Sequence, residues 1–317
     1  MRVVVIGATG HVGTYMIPRL VEAGHEVIAL SRGQRAPYQP HSAWKSVQQL
    51  SLDRDAEETA GTFGERIRAL KPDVVIDMIC FTLTSAQHLV EALRGEVQHF
   101  LHCGTIWAHG HSVEVPTVEE QSRQPFGEYG IQKWKIESYL LNEARRNGFP
   151  ATVLMPGHIV GKGWAPLNPA GHFNPDVFVT LAQGKPLTLP NFGLETVHHV
   201  HADDVAQAFL QAMAHWNTAV GENFHVVSQA AVTLRGYAEA TAGWFGQTAQ
   251  LKYLAWETWR TTVNEQDAAA TWDHIAHSPN CSIGKAQRLI GYQPRYTSLQ
   301  AVYESVFDMI ERGAITI

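Results

Sequence analysis

Tyr129 and Lys133 are the two residues whose types and spacing point most directly to chemistry. They stand four residues apart at the start of a long amphipathic segment, so a helix places both on one face. The positive charge of the lysine favours the phenolate and is expected to lower the pKa of the tyrosine. Such a phenol exchanges a proton with a hydroxyl or carbonyl oxygen near neutral pH. The same spacing also occurs where a tyrosine simply packs beside a solvated lysine, so other segments must decide.

A glycine-rich stretch at residues 7–13 suggests a second chemical function. The β-branched run at 3–6 predicts a strand that is buried on both faces of a parallel sheet. Glycines follow at spacing G-x-x-G-x-x-G, and a helical pattern then continues to Gly24. Strand, glycine-rich turn and helix N-terminus together predict a pyrophosphate site built from backbone amides. The predicted contacts are Gly7, Thr9, Gly10, His11, Val12 and Gly13.

The elements that position these residues follow from the alternation of strand and helix patterns. Further strands are predicted at 25–30, 47–52, 73–79, 99–102 and 223–227, with a sixth ending near 156. This alternation predicts an α/β fold with a doubly wound parallel sheet, in which ligands bind at the carboxyl ends of the strands.

Residues at those carboxyl ends predict the cofactor. An acid after the second strand would bind the ribose of NAD, but Ser31 and Arg32 stand there. Arg32 can pair with a 2′-phosphate, which favours NADP; NAD remains possible if Arg32 stacks on adenine or faces solvent. Asp53, after the third strand, either binds the adenine amino group or caps a helix. Thr105, after the fifth strand, either holds a substrate oxygen or bonds the backbone of a turn.

Composition restricts the function classes. The 317 residues carry a formal net charge of −6, which disfavours a nucleic-acid partner. Three distant cysteines argue for a reducing compartment and against a disulfide framework or zinc site. The first apolar run is too short for a signal peptide or a membrane span, so we expect a cytoplasmic protein without a membrane partner.

The ordered motifs resemble the extended short-chain dehydrogenase/reductases, the group of nucleotide-sugar epimerases and dehydratases. The matching pieces are residues 7–13, Thr105, Tyr129-x-x-x-Lys133, Leu154-Met155-Pro156-Gly157, 201–206 and 285–294. The resemblance implies that Tyr129 is the general acid/base and that Lys133 lowers its pKa and holds the nicotinamide ribose. It implies that Thr105 bonds the reacting oxygen and that hydride passes between the substrate and the nicotinamide. It also implies a homodimer.

The chain departs from this family at the substrate site. Sugar-nucleotide enzymes usually carry an arginine for the diphosphate where this chain has Val197. This favours a free sugar, sugar acid, polyol or ketone.

Residues that follow the strands are predicted to contact the cofactor or the substrate. The alternative for each is that it packs in the core or is an ordinary polar residue of a surface loop. For the cofactor they are Met78 and Pro156, and for the substrate Phe81, Trp107, His158, His172 and Asn174. No metal is predicted, because the histidines at 198–201 alternate along a strand and supply two ligands at most.

The predicted organisation is a dinucleotide-binding domain of residues 1–162 with 196–229 and a substrate lobe of residues 163–195 with 230–317. Three functions remain open. One is a sugar epimerase that retains its cofactor, and the second is a dehydrogenase or reductase that releases it. The third is a non-catalytic dinucleotide sensor or RNA-associated scaffold on the same fold.

Overall fold

The computed structural model describes all residues from 1 to 317. The strands are β1 (Arg2–Ile6), β2 (Glu26–Ser31), β3 (Gln48–Ser51), β4 (Val74–Asp77), β5 (His99–Cys103), β6 (Ala151–Pro156), β7 (His158–Val160), β8 (Leu187–Pro190), β9 (Thr196–Val197), β10 (His199–His201), β11 (Asn223–Val226), β12 (Val232–Thr233) and β13 (Leu251–Leu254). The helices are α1 (His11–Glu22), α2 (Arg54–Thr59), α3 (Phe63–Ala69), α4 (Leu83–Leu93), α5 (Gly127–Asn147), α6 (Asp176–Ala182), α7 (Ala202–Ala214), α8 (Trp216–Ala219), α9 (Leu234–Trp244), α10 (Trp256–Trp259), α11 (Glu265–His277), α12 (Gly284–Ile290) and α13 (Ser298–Glu311).

Seven parallel strands form the central sheet in the order β11-β6-β5-β4-β1-β2-β3. The order reverses between β1 and β4, so the carboxyl ends of these two strands frame the crevice where ligands bind in such sheets. The side chains of β4 are all buried, as are the last four of β1. The predicted doubly wound parallel sheet is therefore confirmed.

The helix that carries Tyr129 is α5. It begins after an extended Phe126 and ends at Gly148, whose φ of +71° gives a left-handed C-cap. Ile136 and Leu140 are fully buried, which holds the helix against the sheet. The first two turns of α5 therefore lie at the carboxyl edge of the sheet, next to the crevice.

Two separate clusters of buried apolar side chains support the molecule. The larger surrounds the sheet, and the smaller joins α6, α9 and α13 with β8. Helix α12 packs in the larger cluster, although its residues fall in the range predicted for the substrate lobe. The predicted domain boundaries stay a prediction. None of the helices combines the length and apolarity that crossing a bilayer requires.

Candidate functional site

The glycine-rich turn between β1 and α1 has a shape that only glycine allows. A Cβ atom on Gly13 would lie 1.9 Å from the carbonyl oxygen of Ala8, closer than any side chain tolerates. Gly7 has a φ of +88°, and a Cβ there would meet Ile79 at 2.8 Å. The backbone of the turn therefore lies close to Ile79, just past the end of β4, and its other side faces the crevice.

The N-terminus of α1 offers free donors to that crevice. Gly10 caps the helix without a side-chain hydrogen bond, and no acidic residue lies in the first turn. The first amides of a helix lack intrahelical partners, and those of His11, Val12 and Gly13 make no other protein hydrogen bond. Free amides at the positive end of the helix dipole fit the pyrophosphate of a dinucleotide.

A cleft of about 480 Å³ extends from this turn along the ends of β2 and β3. Two predicted residues of β2 and its following loop, Ser31 and Arg32, line it together with Arg35. The carboxyl end of β2 and the next few residues supply no carboxylate, and two guanidinium groups are present instead. This donor set fits an adenosine moiety that carries an additional phosphate.

Asp53 lines the same cleft and caps a helix. Its Oδ1 accepts a hydrogen bond from the amide of Ala56 at 3.2 Å, so the capping alternative holds in the structure. Its predicted contact with adenine stays a prediction.

Met78 packs beside Gly7, and Pro156 is buried at the end of β6. Contact of either with the cofactor also stays a prediction.

Arg54 is a cleft residue that sequence reasoning missed. It is buried and bonds both oxygens of Asp77, at 2.8 and 3.0 Å, and Oε1 of Glu58 at 2.6 Å. One guanidinium nitrogen, Nη2, has no partner although it is buried. The sequence shows a basic residue, Arg54, soon after β3 and an acidic residue, Asp77, at the end of β4. The folded sheet brings the two together at one edge.

Two backbone carbonyl groups fix the side chain of Lys133 near Tyr129, one in the loop after β4 and one at the end of β5. Its Nζ donates hydrogen bonds to the carbonyl oxygens of Cys80 and Cys103, both at 2.8 Å. The lysine is almost fully buried, whereas 45% of Tyr129 is exposed. Nζ lies 6.0 Å from the centre of the tyrosine ring and 4.9 Å from that of Phe81. An ammonium group has three donors, so one remains for a ligand in the crevice.

The pKa of Tyr129 differs from the expectation. Desolvation raises it to about 12, the nearby Cys103 thiol adds to the rise, and the Thr105 hydroxyl acts in the other direction. The predicted lowering by Lys133 is therefore wrong for the protein alone. The ammonium is directed at two carbonyl oxygens some distance from the phenol, and the burial of Lys133 lowers its own pKa.

Thr105 lies at the end of β5 as predicted. Its hydroxyl oxygen accepts a hydrogen bond from the amide of Trp107 at 3.2 Å, the local turn contact considered as the alternative. Its side chain also forms a hydrogen bond with the phenol of Tyr129, which acts to lower the pKa of that phenol. Thr105 and Tyr129 therefore face the same region, where a substrate oxygen can lie between them.

Three of the predicted substrate residues lie near Tyr129 or near residues that contact it. Trp107 contacts Tyr129, Phe81 lies beside Lys133, and His158 contacts His274. Trp107 meets Tyr129 edge-on with ring centres 6.2 Å apart, and it contacts His274, whose ring lies 4.8 Å from that of His158. Phe81 is 53% exposed beside Lys133. Trp107, His274 and His158 therefore form a connected row of rings that begins at Tyr129.

His172 and Asn174 have a different environment. His172 Nδ1 contacts the side chain of Asn168 at 3.0 Å and lies 3.5 Å from a carboxylate oxygen of Asp267. Asn174 caps Asp176 and also reaches Asp267. Both residues order the loop before α6, and their predicted contact with the substrate stays a prediction. Phe173 between them is exposed and turns its ring toward His158 and His274.

Sequence reasoning also missed His274 and His277 of α11. His277 stacks between Trp107 and Phe126, with ring centres 4.2 and 4.1 Å away. His274 touches Trp107, His158 and Phe173. His274 and His277 are three residues apart, so they lie on one face of α11. The sequence around them does not specify which part of the protein that face contacts.

The chain is similar to proteins of known name. The model of the family described as "NAD dependent epimerase/dehydratase family" matches residues 3–226. The 2′-dehydrokanamycin reductase of Streptomyces kanamyceticus is 28% identical, over 72% of this chain and 62% of its own length. The chloroplast stem-loop binding protein of 41 kDa b of Arabidopsis thaliana is 24% identical, over 96% of this chain and 78% of its own.

Among solved structures, the UDP-glucose 4-epimerase of Thermotoga maritima, determined with UDP-glucose, superposes with a TM-score of 0.73. The alignment covers 98% of this chain and 99% of that one, at 20% identity, which establishes the shared fold. The family match spans most of the chain, and the named relatives include reductases and epimerases. The chain therefore belongs to the NAD dependent epimerase/dehydratase family, which confirms the predicted relationship to the extended short-chain dehydrogenase/reductases.

Proposed function

We propose that the protein catalyses NADP-dependent hydride transfer at a carbinol or ketone carbon of a small sugar-like substrate, with Tyr129 as the acid/base. The observation that carries this proposal is the position of Tyr129, which is 45% exposed as a residue, beside the buried Lys133 at the same sheet edge as the glycine-rich turn. Proton donor, anchored cation and phosphate site therefore face one crevice. The nicotinamide group, when bound, supplies or accepts the hydride.

In the reductive direction Tyr129 gives its phenolic proton to the carbonyl oxygen of the substrate. Its raised pKa keeps it protonated at neutral pH, which suits a proton donor. The hydrogen bond between Thr105 and Tyr129 stabilises the phenolate that remains. Two carbonyl oxygens hold Lys133 in place, which leaves one of its donors for the nicotinamide ribose. The Thr105 hydroxyl accepts from a backbone amide, so its own proton can be donated to the same substrate oxygen.

Arg32 and Arg35 support NADP over NAD. Both line the adenosine end of the cleft, and no carboxylate at the end of β2 competes with a 2′-phosphate. Their flexible side chains can form charge-assisted hydrogen bonds with that group.

A reductase or dehydrogenase is favoured over an epimerase of nucleotide sugars. Val197, which stands where a diphosphate-binding arginine is usual, is buried in the smaller apolar cluster. The 2′-dehydrokanamycin reductase provides a named reductase among the relatives. Mass spectrometry of the denatured protein tests this choice. We expect no stoichiometric dinucleotide after purification, whereas a retained one would favour the epimerase.

A second candidate is the non-catalytic or RNA-associated role. The similarity to the stem-loop binding protein over 96% of the chain favours it. The net charge of −6 disfavours it, because RNA binding depends on basic surface. The intact Tyr129, Lys133 and Thr105 are not required for such a role.

Tyr129→Phe tests the catalytic proposal. We expect kcat/KM for ketone or sugar reduction with NADPH to fall about 10²- to 10⁴-fold, the usual contribution of general acid–base catalysis. The dissociation constant of NADPH should stay within a few-fold. Tyr139→Phe on the same helix is the matched control and should keep its activity. Turnover that survives in Tyr129→Phe would show that the catalytic assignment is wrong.

A further inference from the structure

A group of histidines lies beside the proposed catalytic tyrosine. We call His158, His199 and His274 the histidine pocket. The ring of His158 lies 4.8 Å from that of His274 and 5.8 Å from that of His199, measured between ring centres. The exposed Phe173 contacts both His158 and His274. Trp107 links the pocket to Tyr129, because it touches His274 at 5.1 Å and the tyrosine at 6.2 Å.

The hydrogen bonds of His274 define its tautomer. Its Nδ1 lies 2.6 Å from the carbonyl oxygen of Ala270, an atom that can only accept. Nδ1 therefore carries the proton, and Nε2 of the neutral ring presents a lone pair. That Nε2 is buried and has no partner, and the same holds for Nε2 of His158. Buried polar atoms almost always have partners in folded proteins, so two orphaned atoms on adjoining rings call for a partner that the protein itself does not supply.

The pocket carries no charge at neutral pH. Burial lowers the pKa of His274 to about 4 and that of His199 to about 3, and it holds the pKa of His158 well below its ordinary value. The rings contact one another and aromatic side chains, and the titratable groups that act on their pKa values are other histidines. A carboxylate placed here would lack a counter-charge. The three rings also do not form a group that could hold a metal ion.

We propose that His274 accepts a hydrogen bond from a hydroxyl of a neutral sugar ring that lies against Trp107 and Phe173, and that His158 forms a hydrogen bond with a second hydroxyl of the same ring. The inference rests on the proposed function and names its substrate class: a neutral hydroxylated ring, with uronic acids discriminated against. Neutral imidazole acceptors match hydroxyl donors, and flat aromatic rings match the apolar face of a sugar. The reacting carbon then lies near Tyr129, because Trp107 bridges the pocket and the phenol.

The direct test uses the unmodified protein with ¹⁵N-labelled histidine and saturating NADPH. Matched probes are glucose and glucuronate, galactose and galacturonate, and UDP-glucose and UDP-glucuronic acid. We expect at least one neutral probe to shift the Nε2 resonances of His158 and His274, and its acidic counterpart to do so at least tenfold more weakly. Preferential binding of the acidic probes, or no shift of these resonances by any neutral probe, would overturn the proposal.

Variants supply the kinetic test on whichever neutral sugar or ketone turns over. His274→Leu removes the acceptor and should raise KM about tenfold, the cost of one lost hydrogen bond in a buried site, with kcat changed far less. His274→Gln retains an acceptor oxygen and should recover most of the loss. His99→Leu is the control, because His99 is equally buried but lies at the opposite end of β5.

The outcomes separate the two proposals. If Tyr129→Phe abolishes turnover while His274→Leu leaves KM unchanged, the pocket assignment fails and the proposed function stands. If the neutral probes shift the histidine resonances but Tyr129→Phe retains full turnover, the pocket binds as proposed and the catalytic assignment fails.

Discussion

Mild acid should unfold this protein, because its fold buries an unusual number of neutral histidines. Desolvation is the leading cause of a lowered pKa in twelve histidines, and in ten of these the pKa falls far below its ordinary value. The pKa is lowered to about 4 or 3 in seven, His11, His99, His109, His198, His199, His274 and His277, and well below the ordinary value in His102, His158 and His225. In the unfolded chain each imidazole returns to its model value of 6.5.

The sign of the effect follows from proton linkage. Between pH 6.5 and about 4 the unfolded chain binds protons that the folded protein excludes, so stability rises with pH in that window. The contribution of the neutral histidines to the free energy of unfolding is fully present above pH 6.5 and is lost progressively below that pH. Each histidine contributes about 1.4 kcal/mol between pH 7.5 and 5.5, and ten contribute on the order of 10 kcal/mol. Typical folding free energies are only about 5–15 kcal/mol.

Three carboxyl groups act in the opposite direction. The pKa values of Glu119, Asp204 and Asp273 are raised, chiefly by desolvation, so these groups favour the folded state as pH falls. They are fewer than the buried histidines and offset only part of the loss. We therefore expect the midpoint of acid unfolding between about pH 5 and 6.

The assay is urea unfolding followed by circular dichroism at several pH values from 7.5 to 5.5. The slope of the unfolding free energy against pH reports the number of protons taken up. His99→Gln should remove about 1.4 kcal/mol of the change between pH 7.5 and 5.5, which is about half a proton averaged over that window. His88→Gln at an exposed site should leave the slope unchanged. A stability that stays constant from pH 7.5 to 5.5 would refute the reasoning.

Two further predictions concern the cofactor site. Arg32→Ala should weaken NADPH binding about tenfold or more and NADH binding far less, since only NADPH carries the 2′-phosphate; equal losses in titrations of both would remove the basis for NADP. Gly13→Ala should destabilise the protein by about 3 kcal/mol and abolish dinucleotide binding, because its Cβ would collide with the Ala8 carbonyl. Gly243→Ala, on an exposed face of α9 with open space around it, is the control and should not lower the melting temperature.

Much of the fold could be predicted because its signals are local. The run at 3–6 is β-branched and unbroken, and the structure buries it as β1 at the centre of the sheet. The glycine spacing predicted the turn into α1, where a Cβ on Gly13 has no room. Alternating strands and helices then leave few arrangements, since crossover connections between parallel strands have one hand.

The candidate site could be predicted only in part. Thr105, Tyr129 and Lys133 could be predicted because each follows a strand end or shares a helix face, and their catalytic roles stay a prediction. Arg54 was missed because its partner Asp77 lies on another strand, and the pair becomes visible only when the sheet edge forms. His274 was missed because helix spacing specifies a face but not the surface it contacts.

The sequence by itself determined the family, the parallel sheet, the glycine-rich turn and the shared helix face of Tyr129 and Lys133. All of these depend on local backbone geometry and on the order of motifs along the chain. Only the tertiary structure decided the pKa of Tyr129, the anchoring of Lys133 on two strand ends and the neutral state of the histidine pocket. The physical reason is that desolvation and carbonyl contacts come from distant segments, whose positions exist only after the chain has folded.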